Sequence, residues 1–157
     1  MVDHLGTEPC IALSFEIGSC DKDVRNALTQ ITSGLSELGI ETEPRGLIEL
    51  VVAEALNNIV EHAYGKDREG RIGLRLHADS SYVTLVIRDC GAPMPDGALP
   101  VGAAPDLAVA CADLPEGGFG WFLIRKLADR LVYRRKNGQN KLEIGMAVSV
   151  ASNRPIT

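Results

Sequence analysis

Three short stretches of this chain carry side chains whose types and spacing suit chemistry on a small anionic ligand. The first is Glu54-Ala55-Leu56-Asn57-Asn58-Ile59-Val60-Glu61-His62. At about 100° per residue, Glu54, Asn58 and Glu61 fall within roughly a 60° strip beside the apolar arc of Leu47, Val51, Ala55 and Ile59. A carboxylate and an amide oxygen one helical turn apart can both reach a cleft at the helix side. There the amide offers Mg2+ a neutral oxygen, and the carboxylate can order a water or accept a proton. The same residues also fit a solvated helix edge with a locally bonded Asn.

The second stretch, Asp89-Cys90-Gly91-Ala92-Pro93, lies where an apolar run breaks. A carboxylate leaving a strand end can accept from an amino group such as adenine N6, and a glycine two residues on lets backbone approach a ring. Ordinary turn chemistry is the competing reading. The third, Glu116-Gly117-Gly118-Phe119-Gly120-Trp121, runs into a helical pattern. Bare N–H groups at a helix start, aided by the helix dipole, favour phosphate, although a flexible loop before a helix looks the same in sequence.

These stretches need elements to hold them. Alternating Ile11, Leu13, Phe15 and Ile17 predict a strand, and Val24, Leu28, Ile31, Leu35 and Leu38 predict a helix stopped by Gly39. Pro44 falls in the first turn of a second helix whose apolar run, Leu47 to Ala63, lasts until Gly65. Ile72 to Leu76 and Val83 to Ile87 predict antiparallel strands around a turn at Ala78 to Ser81. Trp121 to Leu131 predicts a helix, and Asn137-Gly138 predicts a hairpin joining Leu131–Lys136 to the run of Leu142, Ile144, Met146 and Val148. Five prolines between Gly91 and Gly118 limit regular structure there. The layout is α+β, a two-layer α/β sandwich with a mixed, mostly antiparallel sheet and its helices on one face.

With 157 residues and 45% hydrophobic content, the expectation is one domain spanning 10–150, a leader at 1–9 and a frayed tail at 151–157. Sixteen Lys and Arg against 21 Asp and Glu leave a net charge of −5, which disfavours direct nucleic-acid binding. No apolar run approaches the roughly 20 residues of a spanning helix, and the first residues do not resemble a secretory signal. The expectation is a cytoplasmic protein that does not engage a membrane. Cys10, Cys20, Cys90 and Cys111 lack metal-ligand spacing and read as reduced thiols rather than a structural metal site.

Taken in order, the three stretches resemble the N box and the two Gly boxes of the GHKL superfamily of ATP-binding domains. Within it, they resemble the anti-sigma-factor serine kinases of the RsbW and SpoIIAB type. The resemblance covers about residues 10–150 and implies a Bergerat fold binding ATP and Mg2+ beneath a lid at about 91–116. It implies Glu54 as general base, Asn58 as metal ligand, Asp89 as adenine acceptor and Gly91 as the residue accommodating the base. Gly117, Gly118, Phe119 and Gly120 would shape the phosphate site, with Asn57, His62 and Pro93 also at the nucleotide. The implied activity is phosphorylation of a STAS-domain anti-sigma antagonist and sequestration of a sigma factor, in a homodimer as a family expectation. Two departures stand out: Asn57 replaces a residue that is often small or Thr, and the segment from Asp89 to Gly118 contains no Lys or Arg. A non-catalytic ATP-binding switch is the alternative, followed by a sensor histidine kinase-like ATPase domain.

Overall fold

The computed structural model of the chain describes residues 8–65, 68–102 and 119–148. Most of the expected leader and the whole 151–157 tail lie outside them, as do Gly117, Gly118 and the expected lid beyond Gly102. Five strands form one sheet: β1 (Ile11–Gly18), β2 (Arg71–Ala78), β3 (Tyr82–Asp89), β4 (Arg130–Lys136) and β5 (Gln139–Ala147). Their order is β1-β2-β3-β5-β4, and all four pairings are antiparallel. Helices α1 (Asp21–Glu37), α2 (Thr42–Asn58) and α3 (Phe119–Leu127) complete the α+β sandwich. Among the described residues, no helix is long and apolar enough to cross a membrane. Cys10, Cys20 and Cys90 are free thiols.

Period-2 alternation decides which face of the sheet the helices cover. On β2 and β3, Ile72, Leu74, Leu76, Val83, Leu85 and Ile87 are all buried, while Arg75, His77 and Thr84 between them are exposed. The helices answer with Ile31 and Leu35 from α1 and Val51, Val52 and Leu56 from α2. Each such side chain contributes about 1.5–3 kcal/mol on burial, so this seam fixes α2 against the sheet. Gly39, at φ +80°, closes α1: the Gly39 and Ile40 N–H groups donate back to Ser36 and Leu35 carbonyls.

Two elements differ from the sequence expectation. Beyond Asn58 the second helix widens into a π-turn, Ile59–Tyr64, rather than continuing as α-helix to Ala63. The Gly65 N–H reaches back five residues to the Val60 carbonyl (3.1 Å). The wider turn brings Tyr64 inside. Its hydroxyl donates to the Arg71 carbonyl (2.7 Å) and accepts from the Cys90 N–H (2.9 Å), tying the helix end to β2 and to the end of β3. Helix α3 stops at Leu127 instead of Leu131 because the sheet captures the chain. The Asp129 N–H donates to Gly145 (2.8 Å), and Arg130 pairs with Gly145 to open β4. The β4–β5 hairpin turns at Asn137 and Gly138, both at positive φ, as the Asn-Gly pair predicts.

Burial pushes the Tyr64 phenol above its ordinary value of 10.0, outweighing the lowering effect of the Cys90 N–H bond. Its contribution to stability is therefore whole below pH 10 and declines as pH rises toward the folded value, because the unfolded phenol ionises first. Tyr64→Phe is expected to lower the unfolding free energy by about 1–3 kcal/mol, since the Cys90 N–H loses its partner. It should also flatten the loss of stability above pH 10. Urea titrations of both proteins at neutral and alkaline pH check this, and equal midpoints throughout would remove the link.

Candidate functional site

Helix α2, the π-turn, the end of β3 and the β4–β5 hairpin surround a cavity of about 470 Å³. Its wall is mostly apolar, with Ala55, Ile59, Met94, Trp121 and Leu142, and five side chains with polar groups converge on it: Asn58, His62, Asp89, Tyr133 and Asn140. A concave apolar slot with a few fixed polar groups suits a flat heteroaromatic ligand.

Asp89 is 5% exposed and stands on the inward face of β3, directly opposite Asn140 on β5. Its Oδ1 accepts from the Gly91 N–H (2.9 Å) and from Asn140 Nδ2 (2.8 Å). No hydrogen bond from the described residues reaches Oδ2, leaving that oxygen as the acceptor at the cavity wall. Asn140 Nδ2 also donates to the Ala92 carbonyl (3.0 Å). Asn140 Oδ1 accepts from Tyr133 Oη (2.7 Å) and Arg135 Nη1 (2.8 Å). Arg135 reaches on to the Gly91 carbonyl (3.0 Å), and the Met94 N–H donates to Tyr133 Oη (3.0 Å). The turn after β3 is thus held on several sides, which presets the Asp89 carboxylate.

Gly91 meets a second constraint. A Cβ there would stand 2.6 Å from the Ala63 carbonyl oxygen, and the neighbouring Ala92 N–H donates to that same oxygen (2.8 Å). Only a residue without a side chain lets the strand end lie against the π-turn.

Glu54 and Asn58 stand one turn apart on α2, both half-buried. Asn58 Nδ2 donates to the Glu54 carbonyl (2.9 Å), so its Oδ1 is turned away as a free acceptor. The start of α3 lies across this pair. A Cβ on Gly120 would come within 2.4 Å of Glu54 Oε2 and 3.5 Å of Asn58 Nδ2. A carboxylate, an amide oxygen and the positive end of a helix therefore meet at one edge of the cavity. That donor set fits a hard divalent cation and its anionic ligand, with Asn58 Oδ1 as the neutral oxygen. Among the described residues no group of three or more His, Cys, Asp or Glu could hold a metal by itself, so most other ligands of such a cation would come from phosphate and water.

Of the remaining sequence candidates, Pro93 lines the cavity and His62 lies at its rim with a largely exposed side chain. Phe119 opens α3 half-buried. Asn57, half-buried, is absent from the lining, and Glu61 is turned to solvent beside His62 (3.8 Å) rather than joining Glu54 and Asn58. The π-turn accounts for Glu61, because a wider turn advances each residue by less than the 100° of an α-helix. Asn140, Tyr133, Arg135 and Trp121 were not foreseen as site residues. Asn140 did carry a signal: it has the parity of inward-facing Leu142, Ile144 and Met146, and a polar residue in that register needs partners.

Fold and cleft together define an ATP-binding domain of the GHKL class. Residues 19–146 match the histidine kinase-like ATPase domain family, and the chain belongs to it. Over 92 residues it is 35% identical to the serine-protein kinase RsbW of Halalkalibacterium halodurans, covering 58% of this chain and 56% of that one. Over 101 residues it is 38% identical to the serine/threonine-protein kinase BtrW of Bordetella bronchiseptica, covering 64% and 68%. The chain thus spans a little over half of the first relative and about two thirds of the second. Among solved structures, the fold is shared with the RsbU and RsbW domains of a Mycobacterium tuberculosis protein. The TM-score is 0.56 at 16% identity, over 87% of this chain and 32% of that one. It is also shared with a blue-light activated histidine kinase of Erythrobacter litoralis, with TM-score 0.51 at 21% identity, over 79% and 41%.

Asn140→Ala is expected to lower stability by about 1–3 kcal/mol, because Asp89 Oδ1, Tyr133 and Arg135 each lose a partner in a region shielded from water. Chemical denaturation measures it, and an unchanged midpoint would show that the hairpin does not brace the Asp89 turn.

Proposed function

We propose that this chain is an anti-sigma-factor serine/threonine-protein kinase that binds Mg-ATP in the cleft and phosphorylates a STAS-domain antagonist. It otherwise sequesters a sigma factor, in a partner-switching pathway. The observation that carries the reading is the meeting of Glu54, Asn58 and the α3 start at one end of a slot whose other end presents the Asp89 carboxylate. The names of the curated relatives support the choice of a serine-directed kinase within the family.

In this reading Asp89 Oδ2 accepts from adenine N6, while Ile59, Met94 and Leu142 enclose the ring. Asn58 Oδ1 ligates Mg2+, which offsets phosphate charge when bound. Gly117, Gly118 and Gly120 shape the phosphate site, with Phe119 beside them. Asn57, His62 and Pro93 lie at or near the nucleotide. Glu54 takes the proton from the partner's serine hydroxyl as that oxygen attacks the γ-phosphorus, the bond from that phosphorus to the β,γ-bridging oxygen breaks, and ADP leaves. Its half-buried carboxylate against the start of α3 suits a base poised at the phosphate end. The expected lid at about 91–116, whose part beyond Gly102 lies outside the described residues, would cover ATP, and the protein acts in the cytoplasm as a homodimer without touching nucleic acid or membrane.

ATP is expected to bind at least tenfold more tightly than GTP, because guanine O6 would set an acceptor against the Asp89 carboxylate, an unmatched pair costing on the order of 1–3 kcal/mol. Calorimetry with both nucleotides tests it, and comparable affinities would sink the adenine assignment. Glu54→Gln should slow transfer to the antagonist serine by about 10²–10⁴-fold with Mg-ATP affinity little changed, since proton abstraction matters in the transition state. Single-turnover phosphorylation with a thermal melt checks this. A folded variant working at the normal rate would support the passive ATP-binding switch instead.

A further inference from the structure

Among the described residues, the helices leave one face of the sheet uncovered, and its charge is opposite to that of the chain. On that face the described strands carry seven Lys and Arg side chains, Arg71, Arg75, Arg88, Arg130, Arg134, Lys136 and Lys141, against the two carboxylates Glu16 and Glu143. The whole chain is −5. Three of the cations stand in one cross-strand row: Arg88 on β3 faces Lys141 on β5, which faces Arg134 on β4. Like charges directly opposite one another on adjacent strands destabilise a sheet. The carboxylates relieve little of this. Glu16 is taken by Arg71 (3.1 Å), and Glu143 is shared between Lys141 (2.6 Å) and Arg130 (3.4 Å). Among the described residues, Arg75, Arg88, Arg134 and Lys136 make no ion pair.

We propose that this open face docks an acidic amphipathic helix of a protein partner. Neighbouring strands lie about 4.8 Å apart, so the Arg88–Lys141–Arg134 row spans roughly 10 Å. Carboxylates at i, i+4 and i+7 of a helix span about 10.5 Å, matching that row one for one. The adjacent row on the same face reads Arg75, Val86, Glu143, Val132. Its two half-buried valines give the apolar side of such a helix a place to rest.

A continuous polyanion fits less well. Glu143 sits in the middle of the patch, and the acidic remainder of the molecule repels an extended duplex or anionic membrane more than it repels one short helix. A second copy of this face brings cations against cations. The face lies opposite the nucleotide cleft, so the docking surface and the kinase reading stand or fall separately.

The test uses a labelled synthetic helix with Glu at i, i+4 and i+7 and Leu on the adjoining side, followed by fluorescence anisotropy. Wild-type protein should bind it and lose affinity steeply as salt rises from about 50 to 500 mM. Arg88→Gln/Lys141→Gln/Arg134→Gln should bind roughly tenfold more weakly, and exposed Arg134→Gln alone about two- to threefold, with ATP affinity unchanged in both. The single variant decides the matter if a thermal melt shows the triple variant unfolded. Equal binding by wild type and variants, or none by wild type, overturns the proposal. So does tighter binding to duplex DNA or to phosphatidylserine vesicles than to the peptide. A wild-type dimer that the triple variant dissolves in sedimentation would overturn it too, by showing that another copy covers the face.

Discussion

The cleft depends on one row of polar side chains drawn across three strands. Asp89, Asn140 and Arg135 are register partners on β3, β5 and β4, on the face the helices cover. Asp89 and Asn140 are each only 5% exposed. An unpaired buried carboxylate or amide costs several times what a satisfied one contributes, so such a row is tolerable only when complete. Here no buried side-chain nitrogen or oxygen among the described residues lacks a partner. Completion also fixes position. Arg135 and Asn140 hold Gly91 and Ala92 by their carbonyls, and Tyr133 holds Met94 by its N–H, so the chain leaving β3 has its direction set before any ligand arrives.

The same economy of space governs the two glycine-bearing stretches. Gly91 lies against the Ala63 carbonyl, and Gly120 lies against Glu54 and Asn58. Each marks a place where backbone from one element meets the second helix without room for a Cβ. The two approaches bound the cavity at its opposite ends, and the intervening helix has a different geometry at each. Glu54 and Asn58 face α3 from regular α-helix, whereas Ala63 meets Gly91 from the widened turn that also buries Tyr64. Had the helix stayed regular through Ala63, Tyr64 would not be placed to brace β2 and the Asp89 turn together.

Much of this was legible in the sequence, for physical reasons that also explain the rest. Alternation marked β1, β2, β3 and β5, because a half-covered sheet forces apolar and polar residues onto opposite faces. Asp89 and Gly91 were legible because a charge and a glycine interrupt an apolar run. The π-turn was not, since nothing in Ile59-Val60-Glu61-His62-Ala63-Tyr64 departs from a helical pattern; tertiary hydrogen bonds at Tyr64 and Gly65 stabilise it. Nor was the end of α3, because Ala128 and Asp129 suit a helix locally and only pairing with Gly145 withdraws them. The partners of Asp89 are distant in sequence, about 50 residues away for Asn140, and only strand register brings them together.

The absence of Lys and Arg between Asp89 and Gly118 bears on how charge is distributed around the cleft. Two cations meet the described part of this segment, Arg135 of β4 at the Gly91 carbonyl and Arg125 of α3. Arg125 donates to the carbonyls of Pro100 (2.7 Å) and Leu99 (3.0 Å), and it is thereby engaged with backbone. Lys126 beside it lies over the Phe122 ring (5.8 Å). Both cations near the end of α3 are thus occupied, Arg135 of β4 is engaged with the Gly91 carbonyl and Asn140, and the seven cations of the open sheet face point away from the cleft. In the proposed kinase reading, the charge that develops on a transferring phosphoryl group would be met by a Mg2+ held at Asn58 and by the N–H groups opening α3. A site built this way relies on fixed dipoles more than on mobile side chains. That places a premium on the close approach of Gly120 to the Glu54–Asn58 pair, because a dipole displaced by even an ångström loses much of its hold on the charge it faces.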